Sequence, residues 1–295
     1  MDNIQLGILR PLPVQACYLT FELKPKADTQ TILHCLETID IKNNVTGIGA
    51  SLLKFIACNI TNMSVMPDLT SGDINIPSTP TALWCWLQDD DQGKLLHRAR
   101  QLKNQLSPAF NLASTLDAYQ HDQGKDLTGY EDGTENPEGE NAKRAAILSD
   151  SNPALDGSSF VAVQLWQHNF DTFESFTSQH QDHIIGRRLR DNEELDDAPE
   201  SAHVKRTAQE SYSPEAFMLR RSMPWSKDLK GGLQFVAFGC SFYAFEAQMK
   251  RMTGTEDGVI DGLFQFSQPH SGAYYWCPPT KDNQLNIDAL RSQLK

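Results

Sequence analysis

The feature that most constrains the fold is a succession of elements that the chain runs through twice. In the first half, residues 16–23 alternate along the chain and are rich in β-formers, which predicts a strand. Residues 29–39 carry Ile32, Leu33, Leu36 and Ile39 at helical spacing. A strand-like run follows at 49–58, residues 83–87 read as another short apolar strand, and 94–106 set Leu95, Leu96, Ala99, Leu102 and Leu106 on one helical face. The second half repeats the programme. A strand at 159–168 leads into an amphipathic helix at 170–183 with Phe173, Phe176 and Ile184 on its apolar side, and a strand at 233–240 leads into a helix at 241–252. Strand, helix, strand, strand, helix, strand in each half predicts an α+β fold of two tandem ferredoxin-like domains, of the dimeric α+β barrel type, with antiparallel sheets.

A length of 295 residues suits two such units, each with its own core. The join falls in a stretch from 129 to 157 that is rich in Gly, Asn, Asp, Glu and Pro and poor in apolar periodicity. We therefore expect a first domain over 1–140, a connector over 141–157 and a second domain over 158–295. The net charge of -12 argues against nucleic acid or an anionic membrane as the main partner. No apolar run approaches the roughly 20 residues needed to cross a bilayer, and the first residues lack a basic and then apolar signal pattern. Cys17, Cys35, Cys58, Cys85, Cys240 and Cys277 are scattered without a Cys-x-x-Cys pair, so buried free thiols are expected. Together these observations place the expected location in the cytoplasm.

Within the 129–157 stretch at the join lies Gly129-Tyr130-Glu131-Asp132-Gly133-Thr134-Glu135-Asn136-Pro137, an acidic loop punctuated by glycine. A carboxylate on such a bend can be aimed into a cavity, where burial raises its pKa and suits it to proton transfer; a plain surface turn has the same composition. Ligand sites favour positions between domains, which strengthens the functional reading of Asp132. Further on, His203 follows an acidic, proline-containing segment, and histidine is the commonest side chain for holding a metal or haem iron. Arg220 and Arg221 then stand beside Met223, Pro224 and Trp225; a permanent cation in a dry cavity stabilises anionic charge developing on oxygen. Other patterns carry less. His180 and His183 form a pair with no third ligand nearby, Gly47-Ile48-Gly49 lacks the third glycine of a dinucleotide loop, and 132–140 lacks the ligand spacing of a calcium loop.

Taken together, the loop around Asp132, Ser201-Ala202-His203-Val204 and Leu219-Arg220-Arg221-Ser222-Met223-Pro224 make the chain resemble the dye-decolourising peroxidase family, most closely its cytoplasmic class B members. Ile185-Gly186-Arg187-Arg188, the acidic run 191–197 and the segment 266–278 extend the resemblance over essentially the whole chain. It implies a b-type haem held in the second domain, with His203 as the proximal ligand of the iron and Asp132 and Arg220 on the distal face where peroxide binds. Arg220 rather than Arg221 matches the family's arginine, because it stands two positions before the small polar Ser222, itself matched to the cofactor-binding group. Arg187 matches an arginine on a haem propionate, and Asp261 the acidic partner of the proximal histidine. The implied activity is reduction of hydrogen peroxide with oxidation of dyes, phenolic compounds or other one-electron donors, by a homo-oligomer. The alternatives are a haem-handling protein that delivers haem or releases its iron, and a cofactor-free binding module.

Overall fold

The structure, a computed structural model, describes residues 3–150 and 152–294. In chain order the first half comprises β1 (Gln15–Leu23), α1 (Thr29–Glu37), β2 (Asn44–Gly49), α2 (Ala50–Phe55), a small hairpin β3 (Leu69–Ser71) and β4 (Ile74–Ile76), β5 (Leu83–Asp89), α3 (Gln92–Leu106) and β6 (Phe110–Tyr119). After α4 (Gly139–Ala146) come β7 (Ser159–His168), α5 (Phe170–Ser175), α6 (Ser178–Ile185), α7 (His203–Arg206), β8 (Leu219–Arg220), β9 (Met223–Lys227), β10 (Lys230–Gly239), α8 (Tyr243–Met252) and β11 (Ser267–Cys277).

The strand order is β6-β1-β5-β2 in the first half and β11-β7-β10-β8 in the second. Each is the same permutation of its own four strands, with the fourth beside the first, and every pair is antiparallel. This is the ferredoxin-like arrangement twice over, as expected. The halves also share one nine-stranded sheet, because β2 pairs with β11 through Gly49 opposite Tyr275 and Ile48 opposite Trp276. The sheet is an open path rather than a closed barrel. It coils enough that its two ends meet through side chains, the Tyr119 hydroxyl donating to Ser226 Oγ at 3.0 Å.

Because side chains alternate across a strand, the central strands bury both faces. One face carries Tyr18, Trp84, Trp86, Phe238 and Tyr275, whose neighbouring ring centroids lie 6.0–6.4 Å apart. The other carries Leu19, Phe21, Cys85, Phe160 and Trp276 beneath the apolar sides of α1, α3 and α8. Trp84 and Trp86 are fully buried at the centre of the first face. Trp84→Ala should therefore cost about 3–5 kcal/mol of stability, read from the midpoint of a denaturant titration; a loss below about 1 kcal/mol would contradict this account of the core.

Three expectations are corrected. The run 49–58 is not a strand: β2 ends at Gly49 and α2 begins at Ala50, burying Leu52, Leu53 and Ile56 at helical spacing while Ser51, Lys54 and Phe55 face out. The helix expected at 170–183 is two helices, since extended backbone at Phe176 stops α5 and the Thr177 hydroxyl caps α6 by accepting the His180 N–H. The stretch expected to be poor in apolar periodicity holds a short helix, because α4 buries Ala142 and Ala146 against the Trp84 face of the sheet.

Candidate active site

A cavity lies in the second half, between the sheet and the helices α7 and α8. Strand alternation supplies one wall: Gln164, Trp166 and His168 on β7, with Leu233 and Phe235 on β10. Met249 and Met252 of α8, Met218, Leu263 and Phe266 make much of the lining apolar, and Thr128, Tyr130 and Asp132 close it from the glycine-punctuated loop. Asp132, His203 and Arg220 all line this one space, so residues 71 and 88 positions apart converge.

His203 opens the short helix α7, at a turn that nests against the end of α6. Gly186 permits the contact: it sits in the left-handed region at φ +92, and a Cβ there would lie 2.5 Å from Val204 Cγ2. The imidazole Nδ1 is 2.8 Å from Asp261 Oδ2, while the other carboxylate oxygen accepts the Leu263 N–H at 2.8 Å. Asp261 is completely buried. Its bond to Nδ1 fixes the ring and the tautomer, and Nε2 makes no hydrogen bond among the described residues.

Arg220 and Arg221 part company. The Arg221 guanidinium turns to the N-terminal segment, where Nε donates to the Ile8 carbonyl at 2.9 Å and Nη2 to Leu9. Arg220 faces the cavity, and its buried Nε has no hydrogen-bond partner among the described residues. An orphaned donor on the wall of the same cavity as an imidazole with a free nitrogen fits a ligand that both can meet. Ser222 does not line this cavity. It borders a smaller one that also touches Asp132 and Arg220, and its Oγ accepts the Val236 N–H. Arg187 is also not brought to the large cavity: Nη2 pairs with Glu135 at 2.6 Å and Glu194 at 3.3 Å, and Nη1 donates to the Asn192 carbonyl.

Burial raises the pKa of Asp132; the Asp126 carboxylate adds to that, while the charges of Arg220 and His203 oppose it. A carboxyl whose folded pKa exceeds its unfolded value stabilises the fold fully below that unfolded value, about 4. The contribution is lost as pH rises through the folded pKa. Asp132→Asn should therefore flatten the fall in melting temperature of the cofactor-free protein above pH 4 and make it more stable at neutral pH; a lower melting point there would refute the assignment. On the same loop Gly133 holds φ +80, and Gly133→Ala should cost about 1–2 kcal/mol, visible as a lower denaturation midpoint.

Sequence reading missed a second acid–imidazole pair on the cavity wall. His168 Nε2 lies 3.1 Å from Asp126 Oδ2 and Nδ1 lies 2.7 Å from Ser267 Oγ. Burial alone would raise the Asp126 carboxyl, but its bond to His168 and those from the Thr128 N–H and hydroxyl outweigh that and lower it. The available signal was periodicity, since His168 shares its strand face with Gln164 and Trp166.

The family model described as Dyp-type peroxidase, C-terminal, matches residues 123–282, more than half of the chain. The dye-decolorizing peroxidase of Rhodococcus erythropolis is 28% identical over 217 residues, which cover 72% of this chain and 64% of that protein. The Mycobacterium tuberculosis protein of the same name is 26% identical over 224 residues, 74% of this chain and 67% of its own. Among solved structures, a dye-decolorizing protein from V. cholerae superposes with a TM-score of 0.84 at 21% identity, covering 97% of this chain and 98% of that one. A Rhodococcus jostii DypB variant in complex with heme gives a TM-score of 0.85 at 22% identity, covering 97% of each chain. With the family match spanning the loop, the histidine and the arginine that meet in the cavity, this chain belongs to the Dyp-type peroxidase family.

Proposed function

We propose that the chain is a haem-dependent peroxidase that reduces hydrogen peroxide and oxidises dyes, phenolic compounds or other one-electron donors. One observation carries the reading: an imidazole held by a buried carboxylate shares a largely apolar cavity with a raised-pKa carboxyl and a guanidinium whose buried Nε has no hydrogen-bond partner among the described residues. The apolar walls suit the faces of a flat macrocycle, and His203 Nε2 suits the iron. Haem b, when bound, supplies the iron at which the O–O bond of peroxide is cleaved.

The protein residues do the rest. Asp261 accepts from His203 Nδ1, which makes the imidazole a stronger donor through Nε2. Asp132 takes a proton from one peroxide oxygen and returns it to the other, a task for a carboxyl whose pKa is shifted towards neutrality. Arg220 stabilises the negative charge that develops on oxygen, and does so more strongly in an enclosed site than in water. A carrier of haem would have no use for this pair, which favours catalysis over haem delivery. Arg187 and Ser222 are held as cofactor-binding residues on the family resemblance; Arg187 would have to exchange a glutamate for a propionate.

We assign the protein to the cytoplasm, where its six free thiols would stay reduced, and expect a homo-oligomer, measurable by light scattering. Purified protein reconstituted with haem should show a Soret band that changes within seconds of adding peroxide, and should then oxidise a phenolic donor. A colourless protein that ignores haem would end the proposal.

A further inference from the structure

The loop that carries Asp132 is fastened to the strand that carries Arg220 by two side-chain amides. β8 pairs with β10 on one side, and the Arg221 N–H donates to the Val236 carbonyl at 2.7 Å. The alternation of an antiparallel ladder therefore turns the N–H and C=O of Arg220 towards the free edge. Asn136 satisfies both: Oδ1 accepts the Arg220 N–H at 2.8 Å and Nδ2 donates to the Arg220 carbonyl at 3.0 Å. Beside it, buried Gln209 donates from Nε2 to the Glu135 carbonyl at 2.6 Å and accepts the Met218 N–H on Oε1 at 3.0 Å. Residues 135–136 thus run alongside 218–220 as a substitute strand made with carboxamides. At the loop's other end the Asn136 N–H donates to the Gly133 carbonyl at 3.0 Å, closing a turn directly after Asp132. No described residue hydrogen-bonds the Arg220 guanidinium, so its placement depends on how its backbone is held.

We propose that Asn136 is a positioning residue: by pairing with both backbone groups of Arg220 it sets the Arg220 guanidinium against the Asp132 carboxyl and so fixes the geometry in which peroxide is met. This rests on the peroxidase reading above. Aspartate at 136 keeps an acceptor for the Arg220 N–H but sets a carboxylate against the Arg220 carbonyl oxygen, which undoes half of the clamp without changing its size.

The test compares wild type, Asn136→Asp and Gln209→Glu, each with and without haem. In the haem-free proteins, amide hydrogen exchange over 218–221 should quicken at least tenfold in Asn136→Asp while β7 and β11 keep wild-type protection. In the haem-loaded proteins the Soret band should stay in place, the bimolecular rate with peroxide should fall at least tenfold, and the affinity for fluoride, a small anion that reports on the guanidinium, should fall in step. Gln209→Glu should move the same three quantities in the same direction by less, and it carries the test alone if Asn136→Asp does not fold. Wild-type exchange at 218–221 would overturn the clamp. Quickened exchange with unchanged peroxide and fluoride constants would overturn the positioning role. A wild-type protein without a Soret band would remove the peroxidase reading instead, and the exchange measurement would still decide whether the clamp exists.

Discussion

His203→Ala is expected to leave the protein unable to retain haem. After reconstitution and gel filtration the wild type should carry a Soret band and the variant should carry little or none. Three features make the effect large. The imidazole is the described nitrogen donor in the cavity whose Nδ1 is tied to a fully buried carboxylate and whose Nε2 is left free, at 2.8 Å and 0% exposure for the bond and the acid. Binding to the folded state alone stabilises it by about 4 kcal/mol when ligand exceeds its dissociation constant a thousandfold, so haem should raise the melting temperature of the wild type and not of the variant. Removing the imidazole also strips Asp261 of a buried partner, which costs about 1–3 kcal/mol in the cofactor-free protein. A normal haem spectrum in His203→Ala would refute the proximal assignment outright.

Arg220→Ala should behave differently: haem is kept and peroxide reactivity is lost. Deleting one preorganised group that stabilises charge on oxygen typically costs about 100- to 1,000-fold in rate, and the guanidinium here is the cation that the structure aims into the cavity beside Asp132. Stopped-flow mixing with peroxide reads the rate directly, and a fall of less than threefold would count against the role. Arg221→Ala supplies the contrast. Its guanidinium binds the carbonyls of Ile8 and Leu9, so it should lose stability while reacting with peroxide much as the wild type does.

Much of this was legible in the sequence because strands and site residues announce themselves by different rules. β1, β5, β7 and β10 were found from runs of β-formers, and α1, α3 and α8 from apolar spacing. The run from Ser51 to Ile56 failed because a short apolar stretch fits a strand or a buried helix equally, and only tertiary packing shows that Leu52, Leu53 and Ile56 point one way. β6 went unseen: its side chains alternate only loosely, and it is an edge strand with few buried positions. Asp132, His203 and Arg220 were found by residue type and order. Asp126 and His168 were not, because the alternation that puts His168 on the face of Gln164 and Trp166 marks a shared wall rather than chemistry; their pairing across 42 residues exists only once the loop folds over the sheet. Arg187 shows the converse, a residue chosen by order whose guanidinium the fold commits to Glu135 and Glu194.

The position of β11 bears on how such a protein is made. It lies inside the sheet, between β2 and β7, yet it follows every other member of that sheet in the chain. On a ribosome the strand pairing that joins the two halves cannot form until Tyr275 and Trp276 have emerged, and Phe266 and Ser267 of the cavity wall arrive only just before. Such long-range pairings form late and slowly. The pocket is therefore completed late, and a premature stop inside β11 would not trim an end of the molecule but remove the seam that holds its halves in one sheet.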